Sequence, residues 1–302
     1  CLEADIHVIQ SVRLHYVQTG AEHKTLLLML HGFPEFWYSW RYQLKYFADK
    51  YRCVAVDQRG YNLSDKPHNV EAYNTDLLVH DIKELIEALG YSKVYLMGHD
   101  WGAVIAWKFA LYYADMVEKL VILNVPHPTA AQEMMMTNSE QRMKSWSVII
   151  DDQNSPLAPD SGTSAHSRTD CEATIAAPPR VPPCAPPAPR LLFQTSNLLL
   201  FIVAPLGALS GPINYYRNIT KSTPLRGEER ICKPPTLIIW GDADQFLVKE
   251  GAIASLKYCK QGQLKFIEGA SHWVMQDEPS QVNQLVDEFL STPTLSSSAS
   301  KL

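Results

Sequence analysis

A chain of 302 residues, 46% hydrophobic and 20% charged, can bury a full core as one large domain or a core plus a lid, and reads as a soluble globular protein. Its formal net charge of −5, without a concentrated Lys/Arg stripe, argues against a nucleic acid or an anionic membrane as partner and leaves a small neutral molecule. Six cysteines without a CxxC pair resemble neither a disulfide scaffold nor a zinc site; they are read as reduced, compatible with an intracellular compartment.

In chain order, the first strong signals are short apolar strands at Leu26 to Leu30 and Cys53 to Val56. A helix follows, with Leu78, Ile82, Leu85 and Leu89 on one face, Thr75 as its expected N-cap and Gly90 as its stop. Strands return at Lys93 to Met97 and Leu120 to Leu123, separated by a helical stretch at Ala103 to Ala110. Such alternation predicts a parallel sheet covered by helices on both faces.

Between the strand at Lys93 to Met97 and the helical stretch at Ala103 to Ala110 stands Gly98-His99-Asp100-Trp101-Gly102, a Gly-x-nucleophile-x-Gly elbow with aspartate in the nucleophile position. Strand, sharp turn and helix are the context this motif requires. The glycines are needed because the nucleophile sits in a strained backbone conformation against the departing helix. The bland reading is an ordinary strand-to-helix turn with a surface aspartate as N-cap.

From Asp151 to Arg190 the chain turns rich in Pro, Ala, Ser and Thr, with proline pairs at Pro178-Pro179, Pro182-Pro183 and Pro186-Pro187. Without apolar periodicity, this stretch is expected to be disordered or polyproline-like. The apolar run Leu198 to Leu206 is far short of the ~20 residues that span a bilayer, so a buried or interfacial segment is expected. The strand grammar resumes at Pro235 to Trp240 and Leu264 to Ile267, and Val282, Leu285, Phe289 and Leu290 mark a closing amphipathic helix.

An elbow nucleophile needs an acid and a histidine on later loops, each beyond a strand. Trp240-Gly241-Asp242-Ala243-Asp244 offers two carboxylates after one strand, and Ser271-His272-Trp273 follows the last strand. The bland reading of His272 is a satisfied loop histidine.

These segments, together with His31-Gly32-Phe33-Pro34-Glu35-Phe36-Trp37-Tyr38-Ser39-Trp40-Arg41, Asp57-Gln58-Arg59-Gly60-Tyr61, Pro126-His127-Pro128 and Gly211-Pro212-Ile213-Asn214-Tyr215-Tyr216-Arg217-Asn218, resemble the epoxide hydrolases of the alpha/beta-hydrolase fold, most of all the animal branch with a membrane-anchored N-terminus. The match spans roughly residues 10–145 and 207–290 and fails between them. It implies an α/β fold, a mostly parallel sheet flanked by helices, with an inserted and partly disordered lid. The expected divisions are core 1–130, lid 131–222 (Pro-rich at 151–190), core 223–291 and a flexible tail 292–302.

The resemblance also implies roles. Asp100 is the nucleophile, Asp244 rather than Asp242 the acid, and His272 the base that activates water against the resulting ester. The backbone N–H groups of Phe33 and Trp101 meet the oxyanion, and Tyr216, rather than Tyr215, donates to the epoxide oxygen. An ionised aspartate needs no base to attack a strained ring carbon. Water and a hydrophobic epoxide are the expected reactants, with Trp37, Trp101 and Trp273 lining the substrate site alongside Trp40. No cofactor or metal is expected.

Related enzymes use a second lid tyrosine, yet this chain has none between Tyr113 and Tyr215. Losing one preorganised donor is expected to slow ring opening by ~10²–10³. Two alternatives therefore stand beside the epoxide reading: a haloalkane dehalogenase-like hydrolase, and a catalytically impaired ligand-binding product. For location, a lost N-terminal anchor would suggest the endoplasmic reticulum membrane and a route to membrane association. Ser300-Lys301-Leu302 matches a peroxisomal address, and the cytoplasm is the third candidate.

Overall fold

The computed structural model describes residues 2–8, 12–144, 209–221 and 225–293. The expected disorder at 151–190, the apolar run at Leu198 to Leu206 and the tail signal Ser300-Lys301-Leu302 lie outside the described residues. Among the described residues, no helix is long and apolar enough to cross a membrane.

Eight strands form one sheet in the order β1-β2-β4-β3-β5-β6-β7-β8. β3 (Leu26–Leu30), β4 (Arg52–Val56), β5 (Val94–His99), β6 (Val117–Leu123), β7 (Thr236–Gly241) and β8 (Gly262–Ile267) run parallel. β1 (Glu3–Val8) and β2 (Arg13–Thr19) add an antiparallel edge, with β2 paired to β4.

The continuous apolar runs follow from burial on both faces. Leu28, Leu30, Val54, Leu96, Ile122 and Ile238 point into one cluster, whereas Leu27, Met29, Cys53, Met97, Val121 and Leu237 point into the other. α1 (Arg41–Phe47) covers the second cluster through Leu44 and Phe47, while α2 (Thr75–Ala88) and α3 (Trp101–Tyr112) cover the first. α4 (Pro128–Thr137) and α5 (Ser210–Arg217) belong to the segment between β6 and β7. α6 (Lys249–Ser255) and α7 (Val274–Asp277) precede the closing α8 (Pro279–Ser291), which seats Val282, Val286, Phe289 and Leu290 on the second cluster.

One local expectation is corrected: Asn74, not Thr75, caps α2. The Asn74 side chain accepts from the Asp76 N–H at 2.9 Å, which places Thr75 as the first helical residue. The stop at Gly90 has φ +85°, a left-handed conformation that glycine adopts without steric cost.

Candidate active site

The parallel strands end on one edge of the sheet, and the loops that leave them carry the functional side chains. Asp100 joins β5 to α3 with φ 48° and ψ −122°. A non-glycine residue held there costs on the order of 1–3 kcal/mol and persists only where its surroundings over-determine it. They do so here by close approach: a Cβ on Gly102 would sit 2.2 Å from the Leu30 carbonyl oxygen, and one on Gly32 would sit 2.4 Å from Asp100 Cβ.

Asp100 Oδ1 accepts from the Phe33 N–H at 2.7 Å, and its Oδ2 lies 3.3 Å from His272 Nε2. Trp101 opens α3, so its N–H belongs to the helical turn whose donors have no partner within the helix. Beyond β8, His272 turns its other nitrogen to Asp244, Nδ1 to Oδ2 at 2.7 Å. Beyond β7, Asp244 is itself fixed by four donors. Asn124 Nδ2 reaches Oδ2 at 2.7 Å, and the Phe246 and Leu247 N–H groups reach Oδ1 at 2.7 and 3.0 Å, with His272 the fourth. Asp242 instead points outward and accepts from the Gly269 N–H at 2.7 Å, a turn contact.

Charge follows geometry. Burial pushes the Asp100 carboxyl up, but His272, His99 and the Phe33 N–H outweigh it and hold the group below the usual carboxylate range. Burial acts the same way on Asp244, and His272, Asn124 and the Leu247 N–H again bring it below that range. For His272, burial disfavours the imidazolium, yet the flanking carboxylates Asp244 and Asp100 prevail and push it up to about 10. At neutral pH the site therefore rests as carboxylate, imidazolium, carboxylate.

Aromatic rings enclose this line. Tyr216, on α5, packs edge-on against Phe33 at 5.3 Å and Trp101 at 5.1 Å. Trp273 and Phe246 stand against His272 at 5.7 and 5.3 Å. Tyr215 is buried and its hydroxyl donates to the Arg59 carbonyl at 2.7 Å. Trp37 lies elsewhere: its ring neighbours are Phe36 and Tyr38, and it packs on the second core cluster, as does Trp40.

Three residues that sequence reasoning passed over support the line. His99 Nε2 is 2.8 Å from the His272 carbonyl oxygen, an acceptor only, so that nitrogen bears a proton. His99 Nδ1 meets Glu35 Oε2 at 2.8 Å with both side chains fully buried. Glu35 also accepts from the Gly32 N–H at 3.2 Å and Gln276 Nε2 at 2.6 Å. Asn124, with φ 53°, bridges Asp244 to β7 through a 3.1 Å bond from the Gly241 N–H. The available signals were Glu35 and His99 inside quoted motifs and an Asn, a residue that tolerates positive φ, just after a strand.

A family model for the alpha/beta hydrolase fold matches residues 25–170. Epoxide hydrolase 1 of Caenorhabditis elegans is 45% identical over 291 residues, covering 93% of this chain and 69% of its own length. Human epoxide hydrolase 4 is 39% identical over 300 residues, covering 94% of this chain and 77% of its own. Among solved structures, a Bacillus megaterium epoxide hydrolase in complex with an inhibitor matches with TM-score 0.72 at 28% identity, over 95% of this chain and 100% of that one. An epoxide hydrolase from hot-environment metagenomes matches with TM-score 0.76 at 26% identity, over 96% of this chain and 99% of that one.

Proposed function

This chain belongs to the epoxide hydrolases of the alpha/beta-hydrolase fold, and from that premise we propose that it opens hydrophobic epoxides to vicinal diols through an ester on Asp100. The observation that carries this reading is the single file of Asp100, His272 and Asp244, joined at 3.3 and 2.7 Å.

In the first step the ionised Asp100 attacks a ring carbon and the ring C–O bond breaks. Tyr216, packed on Trp101, donates its hydroxyl proton to the leaving alkoxide, which is too basic to depart unaided. Esterification removes the negative charge of Asp100, one of the two anions that hold the proton on His272. The proton of the imidazolium then passes through water to the tyrosinate left on Tyr216, which restores its hydroxyl, and neutral His272 becomes a base.

Neutral His272, oriented by Asp244, next deprotonates a water that attacks the ester carbonyl. The N–H groups of Phe33 and Trp101 meet the developing oxyanion. Collapse releases the diol and restores the Asp100 carboxylate. Residues 131–222, inserted between β6 and β7, serve as the lid that brings Tyr216 over the nucleophile. Trp101 and Trp273 form the apolar walls of the substrate site.

The test is diol formation from a lipophilic epoxide by the purified chain. Asp100→Ala abolishes it, and His272→Gln accumulates a covalent ester visible by mass spectrometry. Halide release from a haloalkane without diol from the epoxide overturns the reading, as does diol formation that survives Asp100→Ala.

A further inference from the structure

Two cysteines far apart in sequence face each other just before the strands that lead to the acid and the base. The Cys232 N–H donates to the Tyr258 carbonyl at 2.7 Å, and the Lys260 N–H donates to the Cys232 carbonyl at 2.9 Å. Cys232 and Cys259 are thereby direct partners in an isolated parallel bridge. Residues paired in this way stand one strand spacing apart, about 4.8 Å, and direct their side chains to the same face. That spacing lies within the roughly 4.4–6.8 Å window of Cα separations that a disulfide spans.

The side-chain surroundings agree. Cys232 is buried in the first core cluster and Cys259 packs against it. Each thiol has a weak oxygen partner: Cys232 Sγ is 3.5 Å from Thr236 Oγ1, and Cys259 Sγ donates to the Ser255 carbonyl at 3.4 Å. Both are free thiols, Cys232 buried and Cys259 partly exposed. Cys53, the third described cysteine, points into the opposite cluster.

We propose that Cys232 and Cys259 form an oxidative modification site that takes a low-molecular-weight disulfide of the glutathione class and closes an internal disulfide. Cys259, the accessible thiol, attacks one sulfur of the small disulfide as the thiolate. The S–S bond breaks, one small thiolate leaves, and a mixed disulfide remains on Cys259. The thiolate of Cys232 then attacks Cys259 Sγ and expels the second small thiolate. The protein loses two electrons and two protons, and the small disulfide is reduced to two thiols.

The closed form staples the segments that enter β7 and β8 at the ends remote from Asp244 and His272. Burial pushes the Cys232 thiol up to about 11 and the Cys259 thiol up to about 12, so exchange is slow at neutral pH. Because only the thiolate attacks, the rate keeps climbing beyond pH 8.5, where an ordinary thiol levels off.

The experiment incubates the full chain with oxidised glutathione at several pH values, quenches by alkylation and maps the tryptic peptides. Cleavage after Arg230, Lys257 and Lys260 separates the two cysteines. The expected result is a linked peptide pair lighter by two hydrogen atoms, with a Tm gain of roughly 5 °C that dithiothreitol reverses. Cys259→Ser removes both the pair and the gain. A stable glutathione adduct on Cys259 with Cys232 still alkylated, or alkylation of both after exposure, overturns the proposal. Should Cys232→Ala fold poorly, Cys259→Ser alone decides.

Discussion

His99 Nε2 lies 2.8 Å from the carbonyl oxygen of His272, so the residue that precedes Asp100 also holds the backbone of His272. The two loops are thereby set in register by one imidazole, whose other nitrogen rests on the buried Glu35.

Removal of that tie has a predictable cost. His99→Ala removes one of the three partners of the buried Glu35, a loss of about 1–3 kcal/mol for a buried group left short of a hydrogen bond. Urea denaturation reads that loss. Single-turnover kinetics is expected to show ester hydrolysis slowed more than ester formation, because it is His272 that loses its anchor. Unchanged stability and unchanged partition between the two steps would sink this account.

Tyr216→Phe keeps the edge-on packing against Phe33 and Trp101 and removes only the hydroxyl. Ester formation is expected to fall by ~10²–10³, measured by rapid quench under single-turnover conditions. A larger loss than for enzymes with two such donors follows if no other group assists.

The pH dependence of stability has a defined sign. His272 is raised from 6.5 to about 10 in the folded chain, so its contribution is complete below pH 6.5 and is lost as pH climbs through 10. Asp100 and Asp244 are depressed, so theirs is present above the ordinary carboxylate range and is lost as pH falls through their folded values. Asp100→Asn removes one of the anions that raise His272. The Tm of that variant is expected to depend less steeply on pH between 6.5 and 10, and imidazole NMR should show the His272 titration moved downward.

Gly102→Ala tests the strained elbow. Its Cβ would meet the Leu30 and His31 carbonyl oxygens at 2.2 and 2.5 Å, backbone atoms that cannot step aside. The expected outcome is a loss of soluble protein, and in any folded fraction a collapse of kcat; wild-type yield and turnover would contradict the geometry.

Lys119 gives a prediction outside the site. Its buried ammonium donates to the Phe289 and Leu290 carbonyls at 2.7 and 2.8 Å and to Thr292, closing the C-terminal end of α8. Lys119→Met is expected to cost about 2–3 kcal/mol, read as a lower urea midpoint with diol formation retained.

The sequence carried the central strands plainly, because the middles of β3 to β7 are buried on both faces and spell apolar runs such as Leu26 to Leu30 and Leu120 to Leu123. The antiparallel β1-β2 pair carried no such signal: Glu3 and Asp5 alternate with Ala4 and Ile6 on an exposed edge. Asp100, Asp244 and His272 were legible through motif and order along the chain. Glu35, His99 and Asn124 were not, since what they do depends on partners 64, 173 and 120 positions away. Trp37 shows the converse: a motif tryptophan whose place in the fold is the core on the other face of the sheet.

The alternation of Leu96 and Met97 between the two clusters also bears on which changes of length the chain can tolerate. β5 ends at the elbow, so adding or deleting one residue within Val94–His99 would invert the phase of everything after the lesion: either the core faces stay filled and Asp100 turns away from His272, or Asp100 holds its aim and the core is emptied on both sides. Packing parity thus guards the aim of the Asp100 carboxylate at His272 against single-residue insertions and deletions far more stringently than against substitutions.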